Sequence, residues 1–206
     1  GVASRLQDKF ITLGIWRTAW HVIFIVFLER IGFHLNYAFQ RQMKNSGLPA
    51  FTTGFSAHLA RQMEDLTELD RSSIMRYGGA SLLRRARKSF AAGKVCIIIR
   101  SPTGELSTMC WAEKVNAFAP CTTAPCVLVA KCFTLPKFRG LGLYESVLKA
   151  VGHLVPNDMS CLGNTVIECS VFNYASRSGI SKAGFQICGM AVEIGPWRIT
   201  WPKKRT

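Results

Sequence analysis

The segment CVLVAKCFTLPKFRGLGLYESVL, residues 126–148, changes character twice. Its first nine residues are rich in Val, Cys, Phe and Thr and read as a strand, while the last six carry apolar side chains at helical spacing. Between them stand a proline, the basic residues Lys137 and Arg139, and the glycines Gly140 and Gly142. A helix that starts directly after a strand offers unpaired backbone N–H groups and the positive end of its dipole. Glycines at such a start let a ligand approach the main chain without meeting a Cβ. The turn is therefore a cradle for an anion, and Arg139 adds a guanidinium able to hold a phosphate through two hydrogen bonds. Two familiar nucleotide turns do not fit. Glu145 stands where a dinucleotide fingerprint needs its third glycine, and the Gly-Lys-Ser/Thr of a P-loop is missing.

The 206 residues suffice for a domain with a substantial core, and a composition of 49% hydrophobic and 18% charged residues excludes a disordered chain. A formal charge of +14 attracts anions at long range, whether phosphates, an anionic membrane face or acidic polymers. Nucleic acid is not expected, because the basic clusters RRARK (84–88) and PKKRT (202–206) are not interleaved with aromatic stacking platforms. The eight cysteines form no tandem C-x-x-C pairs, and Cys96, Cys132, Cys169 and Cys188 fall in apolar, strand-like runs. They read as reduced, packed thiols, which favours a cytoplasmic protein. His21, His34, His58 and His153 lack ligand spacing, so no metal is expected.

Near the amino end, Phe10, Leu13, Trp16, Trp20, Ile23, Phe27 and Ile31 recur at helical spacing and predict a helix with a broad apolar stripe. The longest uninterrupted apolar run, VIFIVFL at 22–28, falls far short of the roughly 20 residues that cross a bilayer. The small-residue cleavage pattern of a secretory signal is also missing. The stripe needs a cover, either the body of the protein, a second subunit in a homodimer, or the interfacial layer at the inner face of a membrane, with Trp16, Trp20, Arg17 and Arg30 at headgroup level. KNSGLPAFTTG (44–54) has the composition of a connector, so the chain divides into a helical extension, 1–50, and a second unit, 51–206.

The second unit reads as α/β. GFSAHLA is a short strand. MEDLTELDRSSIM and GASLLRRARKSFAAG are helical, the latter closed by Gly93, and KVCIIIRSPTGELSTMCWAEK is a hairpin around Pro-Thr-Gly. A Pro- and Cys-containing loop follows over 116–125. Beyond the opening turn, whose helix runs to about His153, come the strand NTVIECSVF, a short helix capped by Asn173, and a strand pair, FQICGMAVEI with WRITW.

This order of elements, with three stretches, resembles the GNAT acyltransferase superfamily. The turn is similar to the family's Arg/Gln-x-x-Gly-x-Gly/Ala pattern at Arg139 and Gly142, departing from it where Tyr144 replaces Gly or Ala. NYASRSGISKAGF is similar to its Asn-x-x-Ala/Ser helix closing in Gly-Phe, at Asn173, Ser176, Gly184 and Phe185, and HLARQMEDLTEL is similar to its first strand and following segment. The resemblance covers about residues 55–201. It implies a GNAT fold, a mixed central sheet with flanking helices, here with the apolar amino-terminal extension. It also implies acetyl-CoA or a longer acyl-CoA as donor, a longer chain being presented by CoA or an acyl carrier protein, and a small primary amine such as an amino sugar or amino acid as acceptor. The donor would be held by Thr134, Leu135, Arg139, Gly140, Leu141, Gly142, Leu143, Tyr144, Asn173 and Ser176.

The amine would attack the thioester directly, with a backbone N–H near 132–135 stabilising the oxyanion. Glu168, an acidic residue in an apolar strand, is the first candidate for the base, and Glu113, in CWAEK, the second. Either also fits a structural ion pair or a solvated strand face. The family's usual acid, a tyrosine four residues before the Gly-Phe glycine, is replaced by Ile180. Tyr174, Ser178 or water would then serve, or the thiolate would leave unassisted. The competing class is a catalytically degenerate protein of the same fold, attached to a membrane or a partner through its basic face and apolar helix.

Overall fold

The computed structural model describes residues 23, 27, 28, 30, 32–42, 51, 54–155 and 163–202. Eight strands form one sheet: β1 (Phe33–Gln42), β2 (Ser56–Ala60), β3 (Val95–Arg100), β4 (Leu106–Val115), β5 (Cys126–Thr134), β6 (Asn164–Ser170), β7 (Gln186–Ile194) and β8 (Trp197–Pro202). Their spatial order is β2-β3-β4-β5-β6-β1-β7-β8. Every neighbouring pair is antiparallel except β5–β6. Among the described residues three complete helices pack on the sheet: α1 (Glu68–Ala91), α2 (Leu143–Leu154) and α3 (Tyr174–Lys182).

β3 shows why the layers form. Val95, Ile97 and Ile99 enter a core shared with Leu143, Val147, Leu148 and Val151 of α2, whereas Cys96 and Ile98 enter a second core with Ile74 and Ala86 of α1. A strand covered on both faces needs no polar alternation, and its sequence has none. α1 is two helical stretches joined at Gly79, whose φ of 62° breaks the helix. Its first turn is fixed by a reciprocal cap, since the Thr67 N–H donates to Asp70 Oδ2 at 2.9 Å and the Asp70 N–H to Thr67 Oγ1 at 3.2 Å. Asp70 is 0% exposed and also accepts from Arg100 Nη2 at 2.6 Å, tying the helix to β3.

Two expectations are corrected here. Residues 33–42 are not the end of a helical extension. Phe33, Leu35, Tyr37 and Phe39 alternate with polar or small residues, and β1 is paired on both edges, with β6 and with β7. The apolar helical period assigned upstream masked this change to a period of two. Most of the predicted stripe, and most of the 44–54 connector, lies outside the described residues. Of the stripe, Ile23 and Phe27 are described, and both are helical. No described helix is long and apolar enough to cross a membrane.

Nor are all the cysteines reduced. Cys121 and Cys188 form a disulfide with Cα atoms 5.2 Å apart. Cys188 falls at the β1–β7 register shift, between Ile187, opposite Phe39, and Gly189, opposite Ala38. A residue at such an irregularity is free to face the 116–125 loop, and the cytoplasmic expectation loses its cysteine argument. Cys96, Cys110, Cys126, Cys132 and Cys169 are free thiols.

Candidate functional site

β5 carries the main irregularity of the sheet. Against β4 its register slips between Met109 and Trp111, so that two residues, Lys131 and Cys132, oppose Cys110 alone. Lys131 has φ 51°, a left-handed conformation uncommon outside glycine. A bulge of this kind bends its strand, and the consequence lies on the opposite edge. The β5–β6 register runs only from Val127↔Thr165 to Val129↔Ile167. Beyond Val129 the two strands diverge as a wedge, with the rest of β5 held to β4 by Thr108, whose hydroxyl donates to Phe133 O at 2.8 Å.

The outer end of β5 runs into the glycine turn. Gly140 and Gly142 have φ of 83° and 72°, and a Cβ at either would meet nothing within 4 Å. Gly142 is the N-cap of α2. Both glycines are exposed, so the first amides of α2, which have no acceptor within the helix, open to solvent. The Arg139 guanidinium stands beside them and donates from Nε to Thr134 O at 3.3 Å. Lys137 is instead paired with Glu105 at 2.5 Å. Leu141 is 47% exposed. Leu135, expected in the donor site, is buried at 0% exposure, and its N–H donates to Ser107 O at 2.9 Å. An alternating strand end places this side chain in the core. Leu143 is likewise a core side chain and offers only its main chain.

Tyr144, second in α2, turns inward. Its ring packs on α3 at Gly179, where a Cβ would lie 2.4 Å from Tyr144 Cδ1. The phenol reaches the side chains of Ser176 and Cys132. Burial pushes its pKa up, the adjacent Cys132 and Cys169 add to that, and the Ser176 hydrogen bond opposes it. Cys110, Cys132, Cys169, Tyr144 and Ser176 thus meet at the wedge on the α2/α3 face. Asn173 caps α3 by accepting from the Ser176 N–H at 3.1 Å, which fixes Ser176.

The two candidate bases lie on the opposite face, one on each side of β5. Glu113 pairs with Lys94 at 2.7 Å beside a small cavity of about 30 Å³ bounded by Trp111, Leu128 and Lys131. Glu168 lies past the point where β6 leaves β5 and pairs with Arg198, which also holds Glu193. Burial alone would lower the Arg198 pKa, but the two carboxylates outweigh it and raise it. Tyr174 is 67% exposed. With Ser178 it lines a groove of about 230 Å³ over Phe39 and Ile187, on a different stripe of α3 from the one that carries Ser176 and Gly179. Neither is brought to the wedge. The part played by Tyr144's side chain was missed in the sequence. The one sign of it is a large residue at a position of the pattern where a small one is expected. Among the described residues no His/Cys/Asp/Glu group is arranged to hold a metal.

No family model and no curated protein matches the sequence. Solved structures do match. A GNAT-family acetyltransferase from Colwellia psychrerythraea superposes with a TM-score of 0.55 at 16% identity, over 79% of this chain and 57% of that one. The chain adopts the GNAT acetyltransferase fold. The same GNAT fold relates it to the aminoglycoside antibiotic 6'-N-acetyltransferase AAC(6')-Ih from Acinetobacter baumannii, with a TM-score of 0.51 at 15% identity over 74% and 99% of the two chains. AAC(6')-Iy, solved with the bisubstrate analogue CoA-S-monomethyl-acetylneamine, gives a TM-score of 0.51 at 17% identity and the same coverage. The chain thus spans less than two thirds of the Colwellia protein and nearly all of each aminoglycoside enzyme.

Proposed function

We propose that the protein is an acyl-CoA-dependent N-acyltransferase that moves an acetyl or longer acyl group to a primary amine, such as an amino sugar or amino acid. The observation that carries this reading is the continuity of wedge and cradle. A bulge opens β5 from β6, and the same strand then delivers two left-handed glycines and a helix start. A diphosphate suits the open amides of α2 and the Arg139 guanidinium, because charge-assisted hydrogen bonds there need no side chain at 140 or 142. A pantetheine arm is long, narrow and rich in amide groups, and it suits a wedge between strands whose facing edges have left the ladder. It would bring the thioester beside Cys132, where a β5 amide stabilises the developing oxyanion.

The acceptor amine enters from the opposite face, where Glu168 takes its proton, directly or through water, with Glu113 as the second candidate. Attack is direct, and its acceleration comes chiefly from holding both substrates together. The two aminoglycoside N-acetyltransferases that share the fold support an amine acceptor. Calorimetric titration with acetyl-CoA tests the donor site. Arg139→Glu is expected to weaken binding about 10- to 100-fold, the loss of one charge-assisted contact. Absent binding by the native protein, or unchanged affinity in the variant, would overturn the assignment.

A further inference from the structure

β8, the outermost strand of the sheet, is apolar where it faces solvent. Arg198 turns to the acceptor side and is tied to Glu168 and Glu193. Trp197, Ile199 and Trp201 share the other face of the strand and are all exposed, Trp197 at 74%. β7 extends this face, because Ile194 pairs with Trp197 and is exposed as well. A contiguous apolar surface of this kind is rare on a soluble monomer and marks a contact. The chain brings a possible cover close and does not use it. The Gly195 N–H donates to Gly32 O at 3.1 Å, which pins the start of β1 to the β7–β8 turn. Phe27 and Arg30, both helical, lie five and two residues before Gly32. An apolar helix end thus stands at the same corner, yet its Ile23 and Phe27 are exposed together with the side chains of β8. Two apolar surfaces at one corner do not bury one another, so their partner lies outside this chain.

Cations bracket the face. Arg30 is exposed at the turn end, Lys203, Lys204 and Arg205 follow Pro202 directly at the other, and the whole chain carries a formal charge of +14. We propose that the β8 face docks on an anionic lipid bilayer, with Trp197, Ile199 and Trp201 at headgroup level and the flanking cations on lipid phosphates. An indole suits that depth because it joins a large apolar ring to a single N–H donor. The attraction has two parts, the apolar area removed from water and the pull of the negative leaflet on each nearby Lys or Arg. Docking on this face leaves the opposite one, which carries Glu113 and Glu168, turned to the aqueous side. The proposal does not depend on the acyltransferase reading, and each can fail without the other.

Co-sedimentation of the full chain with vesicles of phosphatidylcholine and phosphatidylglycerol tests this, with pure phosphatidylcholine vesicles as the neutral comparison. The native protein is expected to partition onto the anionic vesicles, and to do so less on the neutral ones or at high salt. Trp197→Thr with Trp201→Thr, which keeps β propensity and removes both rings, is expected to weaken partitioning about ten-fold or more. Trp197→Phe with Trp201→Phe keeps the apolar area and is expected to stay within about three-fold of the native protein. Far-UV circular dichroism checks that each variant is folded. Trp197→Thr alone, next to the turn, is expected to lose about three-fold and decides the matter if the double variant does not fold. Native protein that stays in the supernatant, or threonine variants that partition as it does, overturn the proposal. So does a native dimer, seen by sedimentation velocity without lipid, that the threonine variants convert to monomer, since the face would then belong to a second copy of the chain.

Discussion

An Arg100→Ala variant is expected to lose about 3–5 kcal/mol of folding stability, as when one partner of a buried ion pair is removed. The Asp70 side chain has no exposure, and Arg100 is its charge partner, through both Nε and Nη2. Its other contact, the Thr67 N–H, belongs to the helix cap and carries no full charge. Removing the guanidinium would leave a carboxylate in the seam between α1 and β3 without compensation. The loss should therefore be much smaller when the charge is removed as well. Asp70→Asn in the Arg100→Ala background is expected to recover part of the stability, because an amide still accepts from Thr67. Urea unfolding of the four proteins of this cycle measures it. Equal losses in single and double variants would show that packing, not charge, holds the seam.

The second large effect concerns the disulfide. Cys121 and Cys188 are 67 residues apart, and closing a loop of that length restricts the unfolded chain by about 4 kcal/mol on a chain-entropy estimate. Replacing both cysteines by serine is expected to lower stability by about that amount. Reductant should lower the native midpoint to the level of the double variant and leave the variant unmoved. A native protein whose midpoint ignores reductant, or whose mass shows two additional hydrogen atoms at these residues, would refute the bond. The 116–125 loop and the β1–β7 irregularity would then be held only by packing.

Much of the fold was legible because its signals are local. β3 is a continuous apolar run between turn residues, α3 begins at an asparagine that caps it, and Gly140 and Gly142 announce a turn that needs left-handed backbone. The features that were not legible depend on partners far away in sequence. β1 follows a stretch of helical period, and what makes residues 33–42 a strand is a slot between β6 and β7, more than a hundred residues later. The pairing of Cys121 with Cys188 requires knowing which loop lies over which strand. The candidate site divides in the same way. Arg139 and the two glycines were read from the turn itself and Asn173 as a helix cap, whereas Ser176 was named through the family resemblance. The bulge at Lys131–Cys132 that opens the wedge has no sequence marker, because a lysine at positive φ is imposed by the strands on either side. Tyr144 was noticed only as a departure, since its direction is set by a gap in another helix. Glu168 and Glu113 were identified as acidic residues in apolar strands, but their partners, Arg198 and Lys94, lie elsewhere in the chain.

The position of β1 also bears on how the protein is made. A ribosome releases this strand before the other strands described, yet its neighbours on either side, β6 and β7, emerge only after β2 to β5. Until then Phe33, Leu35, Tyr37 and Phe39 wait unpaired beside an assembling half-sheet, a span of synthesis in which non-native strand pairing competes. Non-native pairing during translation is the expected consequence of a central strand made well before both of its neighbours.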